Sequence, residues 1–468
     1  MTEKNLLDPE LVKKIHFVGI GGISMSGLAE ILLDQGYKIS GSDIKASSIS
    51  DRLISKGVKF YLGHSGDNIE NPELVIYTAA VKKDNPELVK AQELGIKTIE
   101  RSVLLGQIMK QYPYSINVSG THGKTTTTSM ITMIMIEAGF DPTVHIGGHL
   151  NAIGGNTKIG GNKYFIAEAC EYVESFLKFY PFMGVILNIE ADHLDYFKGI
   201  EHIKESFIKF ACLIPKEGYL IAGIDDSNTK DILDKIGCNI VTYGINSKDA
   251  MWQARDIHFN DEGLGSYTLY NSNEEIAKIN LGVTGMHNIG NSLAAAAACY
   301  TIGCSVESII KGLKNFSGTH RRFELKGLSN DIKVIDDYAH HPSEIAATLN
   351  AAKNVPHNKL WCVFQPHTYT RTKALLNDFS KSFNDADYVI VSDIYAAREP
   401  DNGEINSLML SDKINEVSPK AKYMKCFEDI ANYLHEKASP GDLIITMGAG
   451  DIYRVGEIFL GGTDALRN

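Results

Sequence analysis

Apolar positions along the chain fall into short runs broken by glycine-rich or polar turns, and the runs sort it into three stretches. In the first, Ile15–Ile20 reads as a buried strand, followed by glycines and an apolar repeat at helical spacing to about Gln35. Further strands fit Lys38–Ser40, Val58–Tyr61 and Leu74–Tyr77, a βαβ rhythm that predicts a small parallel sheet. In the second, Tyr114–Val118 reads as a strand, Ser119–Thr128 as a phosphate-type loop, and the helix it opens runs to Ala138. Lys163–Ala167 and Gly184–Asn188 are two more strands. From Trp252 to Val283 the pattern alternates, with turn signals at Asp261-Glu262-Gly263 and Asn271-Ser272-Asn273, so an antiparallel insert is expected. In the third, Ile332–Ile335, Leu360–Phe364, Tyr388–Val391 and Leu443–Thr446 read as strands with helices between. Each is followed by a polar or backbone-exposing residue: Asp337, His367, Asp393 and Gly448. In open α/β sheets, ligands bind beyond the carboxyl ends of strands. The expected fold is therefore α/β, in three domains covering residues 1–110, 111–324 and 325–468.

Length supports that division, since 468 residues exceed what one core serves. Lys and Arg total 46 against 57 Asp and Glu, a net charge of −11, so no basic field exists to attract nucleic acid. The seven cysteines are scattered with no CxxC pair, which argues against a disulfide framework or a zinc site. Met1–Lys14 has no apolar signal core, and the apolar stretch around Ala294–Cys299 is too short for a bilayer. A cytoplasmic protein with no membrane association and no obligatory protein partner is expected.

The chemistry sits in the turns. Gly19-Ile20-Gly21-Gly22 lies between strand and helix, where small residues let a backbone approach a diphosphate, and Asp43 ends the next strand, placed to meet a ribose. Ser24 stands where a dinucleotide fingerprint has its third glycine; a structural turn reads the same way. Gly120-Thr121-His122-Gly123-Lys124-Thr125-Thr126 also lies between strand and helix, with amides to wrap phosphates, an ammonium for the β/γ charge and a hydroxyl for Mg²⁺. Glu168 closes one strand and His193 follows another, so both can face Thr125. His287 and Asn288 open an apolar helix, as an adenine edge contact or as plain capping. Arg322 lies at the join of the second and third stretches, where it reaches a γ-phosphate only when domains close; a solvated basic linker is the alternative. His340, His341, His367 and Arg371 gather beyond third-stretch strands and suit an anionic or carboxylate-bearing ligand. His145 and His149 are four apart, but Gly147-Gly148 between them predicts a loop rather than a metal-binding helix.

The order of these motifs resembles the Mur ligase family over nearly the whole chain. Within it, His16-Phe17-Val18-Gly19-Ile20-Gly21-Gly22 and Tyr338-Ala339-His340-His341-Pro342 resemble the branch that acts on UDP-N-acetylmuramate and L-alanine. The resemblance implies an N-terminal Rossmann-like UDP-binding domain, a central P-loop ATPase-type domain carrying the antiparallel insert, and a C-terminal Rossmann-like domain for the amino acid. It implies ATP and Mg²⁺ as cofactors. Lys124, His193, Arg322 and His367 become catalytic candidates. The ATP contacts it implies are Gly120–Thr126, His287, Asn288, Arg322 and Asp337, and the metal contacts Thr125, Glu168 and His193. Gly19, Gly21, Gly22, Ser24, Asp43, His64, His341 and Arg371 become substrate contacts. Thr368 stands where many relatives have Arg, and Glu168-Ala169-Cys170-Glu171-Tyr172 replaces an acidic run common in the family. A ligase attaching a preformed peptide shares the motifs. A nicotinamide dehydrogenase leaves Lys124 and Arg322 without a role, and a non-catalytic nucleotide-binding regulator leaves the third-stretch polar clusters unexplained.

Overall fold

The computed structural model describes residues 6–78, 80–397 and 399–461. Three sheets follow one another along the chain. The first contains β1 (Lys14–Val18), β2 (Lys38–Asp43), β3 (Lys59–Leu62), β4 (Leu74–Tyr77) and β5 (Lys97–Glu100), all parallel, in the order β3-β2-β1-β4-β5. Strand order reverses between β1 and β4, beside the glycine turn that follows β1.

The central sheet has ten strands: β6 (Tyr114–Ser119), β7 (Thr143–Leu150), β8 (Gly155–Lys158), β9 (Tyr164–Glu168), β10 (Met183–Ile186), β11 (Tyr219–Gly223), β12 (Asn239–Gly244), β13 (Trp252–Phe259), β14 (Leu264–Asn271) and β15 (Glu274–Thr284). Their order is β15-β14-β13-β12-β11-β10-β6-β9-β7-β8. The expected antiparallel insert is β13–β15, whose neighbours pair antiparallel. The helix Lys124–Glu137 follows β6 directly, which puts the P-loop at the carboxyl edge of a central strand. Packed against it is the helix Met286–Thr301, whose run Leu293–Cys299 is wholly buried.

The third sheet contains β16 (Glu324–Ser329), β17 (Ile332–Asp337), β18 (Leu360–Phe364), β19 (Tyr388–Val391), β20 (Ala421–Tyr423) and β21 (Leu443–Met447), in the order β16-β17-β21-β18-β19-β20. Only β16 runs antiparallel, as an edge strand that sequence patterning missed because its residues stay half exposed.

The stretch around His145 and His149 corrects the sequence reading. It is a strand, β7, hairpin-paired with β8, not a loop. Its two glycines serve close approach: a Cβ on Gly147 would lie 3.0 Å from Glu168 Oε2, and one on Gly148 would lie 3.0 Å from Thr125 Cγ2.

Candidate active site

A cavity of about 460 Å³ opens between the central and third sheets. Its walls include the P-loop at His122, Gly123 and Thr126, the helix start at His287 and Asn288, and Arg322 and Asp337 from the far side. Asn288 is buried and held by its neighbours, since Nδ2 donates to Thr284 O at 2.7 Å and Oδ1 accepts from Asn291 Nδ2 at 3.1 Å. Gly123 has φ +85°, and a Cβ there would meet Asn291 Oδ1 at 2.4 Å, so both conformation and space require glycine. The Asp337 carboxylate accepts amide hydrogens from Ala339 at 2.7 Å and Phe323 at 2.8 Å; burial nonetheless pushes its pKa up to about 6. The two neighbouring arginines divide their tasks. Arg321 is spent on the fold, donating to Asp336 and to the carbonyls of Gly448 and Gly450. Arg322 lines the cavity, with its guanidinium 5.2 Å over the Tyr338 ring and 3.8 Å from Glu344.

Lys124 turns back over the P-loop, donating to the carbonyls of Gly120 and Thr121, with Glu171 Oε2 3.2 Å away. Burial works against the ammonium, but the acidic groups around it, Glu171 foremost, outweigh it, and its pKa is raised. Glu171 also lies 3.9 Å from His193 Nε2, whose ring packs on Tyr172. Glu168 accepts the Gly147 amide, so Thr125 and Glu168 converge on one backbone step of β7. A threonine hydroxyl and a carboxylate are the oxygen donors a hard cation such as Mg²⁺ takes.

The histidine of the P-loop reaches across the domain seam. His122 Nδ1 lies 3.1 Å from Glu344 Oε1, and Nε2 lies 2.9 Å from Ser343 Oγ and 3.5 Å from Glu190 Oε2. Burial disfavours its charge, yet Glu344 and Glu190 push the ring up to about 9. His341 packs beside it at 4.8 Å between ring centroids and caps the helix Pro342–Ala352. These contacts place His122 as a bridge between domains.

A second cavity, about 130 Å³, is lined by Asp192, His193, Thr368 and Arg371 among others. Arg371 is engaged rather than free: Nε donates to Asp192 Oδ1 at 3.1 Å, and Nη1 lies 3.3 Å from His367 Nδ1. Burial raises the Asp192 carboxyl, but Arg371 and the neighbouring histidines hold it well below the usual carboxylate range. His367 is pushed down to about 4 by burial and by His340 and Arg371, so its ring is neutral at neutral pH.

The N-terminal candidates cluster at the carboxyl edge of the first sheet. Asp43 Oδ2 accepts the Gly21 amide at 2.9 Å, so this carboxylate braces the glycine turn. Ser24 faces the central domain, 2.7 Å from His145 Nε2. His64 is held through Nδ1 by the buried Glu87 at 2.8 Å and by Ser42.

Both cavities carry non-glycine residues in the left-handed region, Phe323 in the first and His193 and Thr368 in the second. Val173, Glu174, His193, Arg321, Phe323 and Thr368 all have φ between 49° and 66° without being glycine, each costing about 1–3 kcal/mol. Sequence reasoning missed Glu171, Asp192 and Glu344, whose partners lie 47, 179 and 222 positions away. The acidic pattern at Glu171 and the Asp192-His193 pair were the available signals.

Family models match all three regions: "Mur ligase family, catalytic domain" over residues 14–113, "Mur ligase middle domain" over 118–299 and "Mur ligase, glutamate ligase domain" over 321–450. A UDP-N-acetylmuramate–L-alanine ligase of Acetivibrio thermocellus is 62% identical over 460 residues, 98% of each chain. Among solved structures, a UDP-N-acetylmuramate-alanine ligase of Thermotoga maritima has a TM-score of 0.80 at 29% identity, covering 96% of this chain and 98% of that one. A murein peptide ligase of Psychrobacter arcticus has a TM-score of 0.70 at 27% identity, with the same coverage.

Proposed function

This chain belongs to the Mur ligase family, and within it we infer an ATP-dependent ligase that joins L-alanine to the lactyl carboxylate of UDP-N-acetylmuramate. The products are UDP-N-acetylmuramoyl-L-alanine, ADP and phosphate, in the synthesis of peptidoglycan precursor. The observation that carries this reading is the near-complete likeness, at 62% identity, to a protein bearing that activity in its name. The peptide-attaching alternative has the weaker structural likeness. A dehydrogenase or a bare regulator does not fit the family.

The first sheet takes the sugar nucleotide at the Gly19–Gly22 turn, the central sheet takes ATP at the P-loop, and the third contributes the amino-acid side. A lactyl carboxylate oxygen attacks the γ-phosphorus; the bond to the β–γ bridging oxygen breaks, leaving an acyl phosphate and ADP. The neutral amine of alanine then attacks the acyl carbon, the carbon–oxygen bond to phosphate breaks, and the amine proton passes to a base. Lys124 exchanges Glu171 for the β/γ-phosphates, and Arg322 swings from Glu344 to the γ-phosphate. Thr125, Glu168 and His193 are the residues that would hold Mg²⁺, which would supply neutralisation of the phosphate charge.

The small cavity presents the carboxylate of Asp192 and the guanidinium of Arg371 side by side. That pair matches the ammonium and carboxylate of a zwitterion, and the volume suits a small side chain. His193 and His367 are the candidate bases for the amine. Water must be kept from the acyl phosphate, and a site between domains provides the closure. We place the reaction in the cytoplasm; among the described residues no helix is long and apolar enough to cross a membrane.

The test is ADP release that requires UDP-N-acetylmuramate and L-alanine together, with hydroxylamine trapping a lactyl hydroxamate when alanine is withheld. ADP release without the sugar nucleotide, or an adenylylated product, would overturn the scheme.

A further inference from the structure

Arg101 stands directly after β5, at the start of the helix Arg101–Met109, and it is only partly open to solvent. Its Nη1 donates to Ser24 Oγ at 2.9 Å. Among the described residues no carboxylate forms an ion pair with it, and Glu100, its neighbour along the chain, acts on it only through space. A guanidinium has five N–H donors, and enclosing one without an anion is costly unless something else supplies the charge. Burial accordingly lowers its pKa. Its neighbour His145 is pushed down to about 3, by burial first and by the Arg101 guanidinium second. The position is specific. Ser24 lies in the first turn after Gly19–Gly22, His145 belongs to β7, and Cys170 follows Glu168 at the end of β9. An unpaired cation therefore sits on the seam between the turn for the sugar nucleotide and the edge of the ATPase sheet.

We propose that Arg101 is a substrate-binding residue whose guanidinium takes an oxyanion of the sugar nucleotide, at the seam formed by Ser24, His145 and the Glu168–Cys170 strand end. This rests on the sugar-nucleotide reading of the first domain. The oxyanion is the diphosphate or the lactyl carboxylate, and both have the oxygen geometry a guanidinium fork accepts. The substrate then completes an ion pair that none of the described residues supplies.

The experiment is calorimetric binding to the full chain of UDP-N-acetylmuramate, of UDP-N-acetylglucosamine (the same diphosphate, no lactyl group) and of ADP, for wild type, Arg101→Met and Arg101→Lys. Arg101→Met is expected to weaken UDP-N-acetylmuramate about 10- to 100-fold, the factor for one charge-assisted contact, and to leave ADP within threefold. Arg101→Lys should recover part of the loss. If both sugar nucleotides weaken together, the contact is to the diphosphate; if only the muramate does, it is to the carboxylate. The melting temperature of the free protein should hold or rise in Arg101→Met, because an unbalanced cation has been removed. Unchanged binding of both sugar nucleotides would overturn the proposal, as would a lowered melting temperature with parallel loss of ADP affinity. Wild-type protein that binds no UDP-N-acetylmuramate would instead refute the sugar-nucleotide reading.

Discussion

Lys124 Nζ lies 3.2 Å from Glu171 Oε2, so the P-loop ammonium is held by a carboxylate from the turn after β9 before any phosphate arrives. The lysine is thereby kept charged and pointed into the loop. Lys124→Ala should lower kcat by at least about 100-fold in a folded protein, in line with roughly 3 kcal/mol of electrostatic stabilisation. Near-normal ADP production by a folded variant would remove Lys124 from the mechanism.

Metal dependence separates two residues only two positions apart. Glu168 shares the Gly147–Gly148 step with Thr125, whereas the Cys170 thiol is kept neutral by burial. Glu168→Ala should raise the Mg²⁺ concentration needed for half-maximal rate, and Cys170→Ser should leave it within about twofold, the span of about 0.4 kcal/mol. A magnesium titration of the two variants decides it; the reverse ranking would move the site.

Alanine affinity should depend on the Asp192–Arg371 pair. Asp192→Asn keeps the shape and removes the charge. It should raise the alanine KM about tenfold or more and leave the ATP KM within about threefold. Arg371→Ala is the poorer probe, because it strands a buried carboxylate at about 3–5 kcal/mol. Equal changes in both constants would mean that Asp192 holds the domains rather than the amino acid.

The His122 contact with Glu344 carries a pH signature. The folded ring titrates at about 9 against an ordinary 6.5. Its stabilising charge is therefore complete below about 6.5 and lost as pH rises through about 9. Glu344→Gln should bring that loss to lower pH, read from the His122 ring signal by NMR and from melting temperature across pH. Identical titrations in wild type and variant would show that Glu344 does not hold the imidazolium.

How far the sequence discloses the site follows the range of the contacts. The P-loop was legible because strand, glycines, lysine and threonines are contiguous, and the strand ends at Asp337 and His367 were legible from apolar runs closed by polar residues. The β7–β8 hairpin was not, because Gly147 and Gly148 look like loop residues until Thr125 and Glu168 are seen against them. Nothing near Arg371 in the sequence discloses its pairing with Asp192, 179 positions away. Arg321 and Arg322 could not be told apart locally; only the carbonyls of Gly448 and Gly450 show which one is structural. The hydrogen bond from the Gly21 amide to Asp43, 22 positions on, has no signal in the sequence either.

The amine is the sharpest part of the account. Side-chain exclusion in a small pocket discriminates weakly between near neighbours, about 1–3 kcal/mol per methylene, so L-serine and glycine should be used detectably but less well than L-alanine. D-Alanine should be poor, because inversion at Cα misplaces the amine or the carboxylate. The deciding measurement is kcat/KM for L-alanine against the tripeptide L-Ala-γ-D-Glu-meso-diaminopimelate, at saturating ATP and UDP-N-acetylmuramate. A strong preference for L-alanine is expected; a preference for the tripeptide would contradict the account and make the chain a peptide-attaching ligase with the same ATP chemistry.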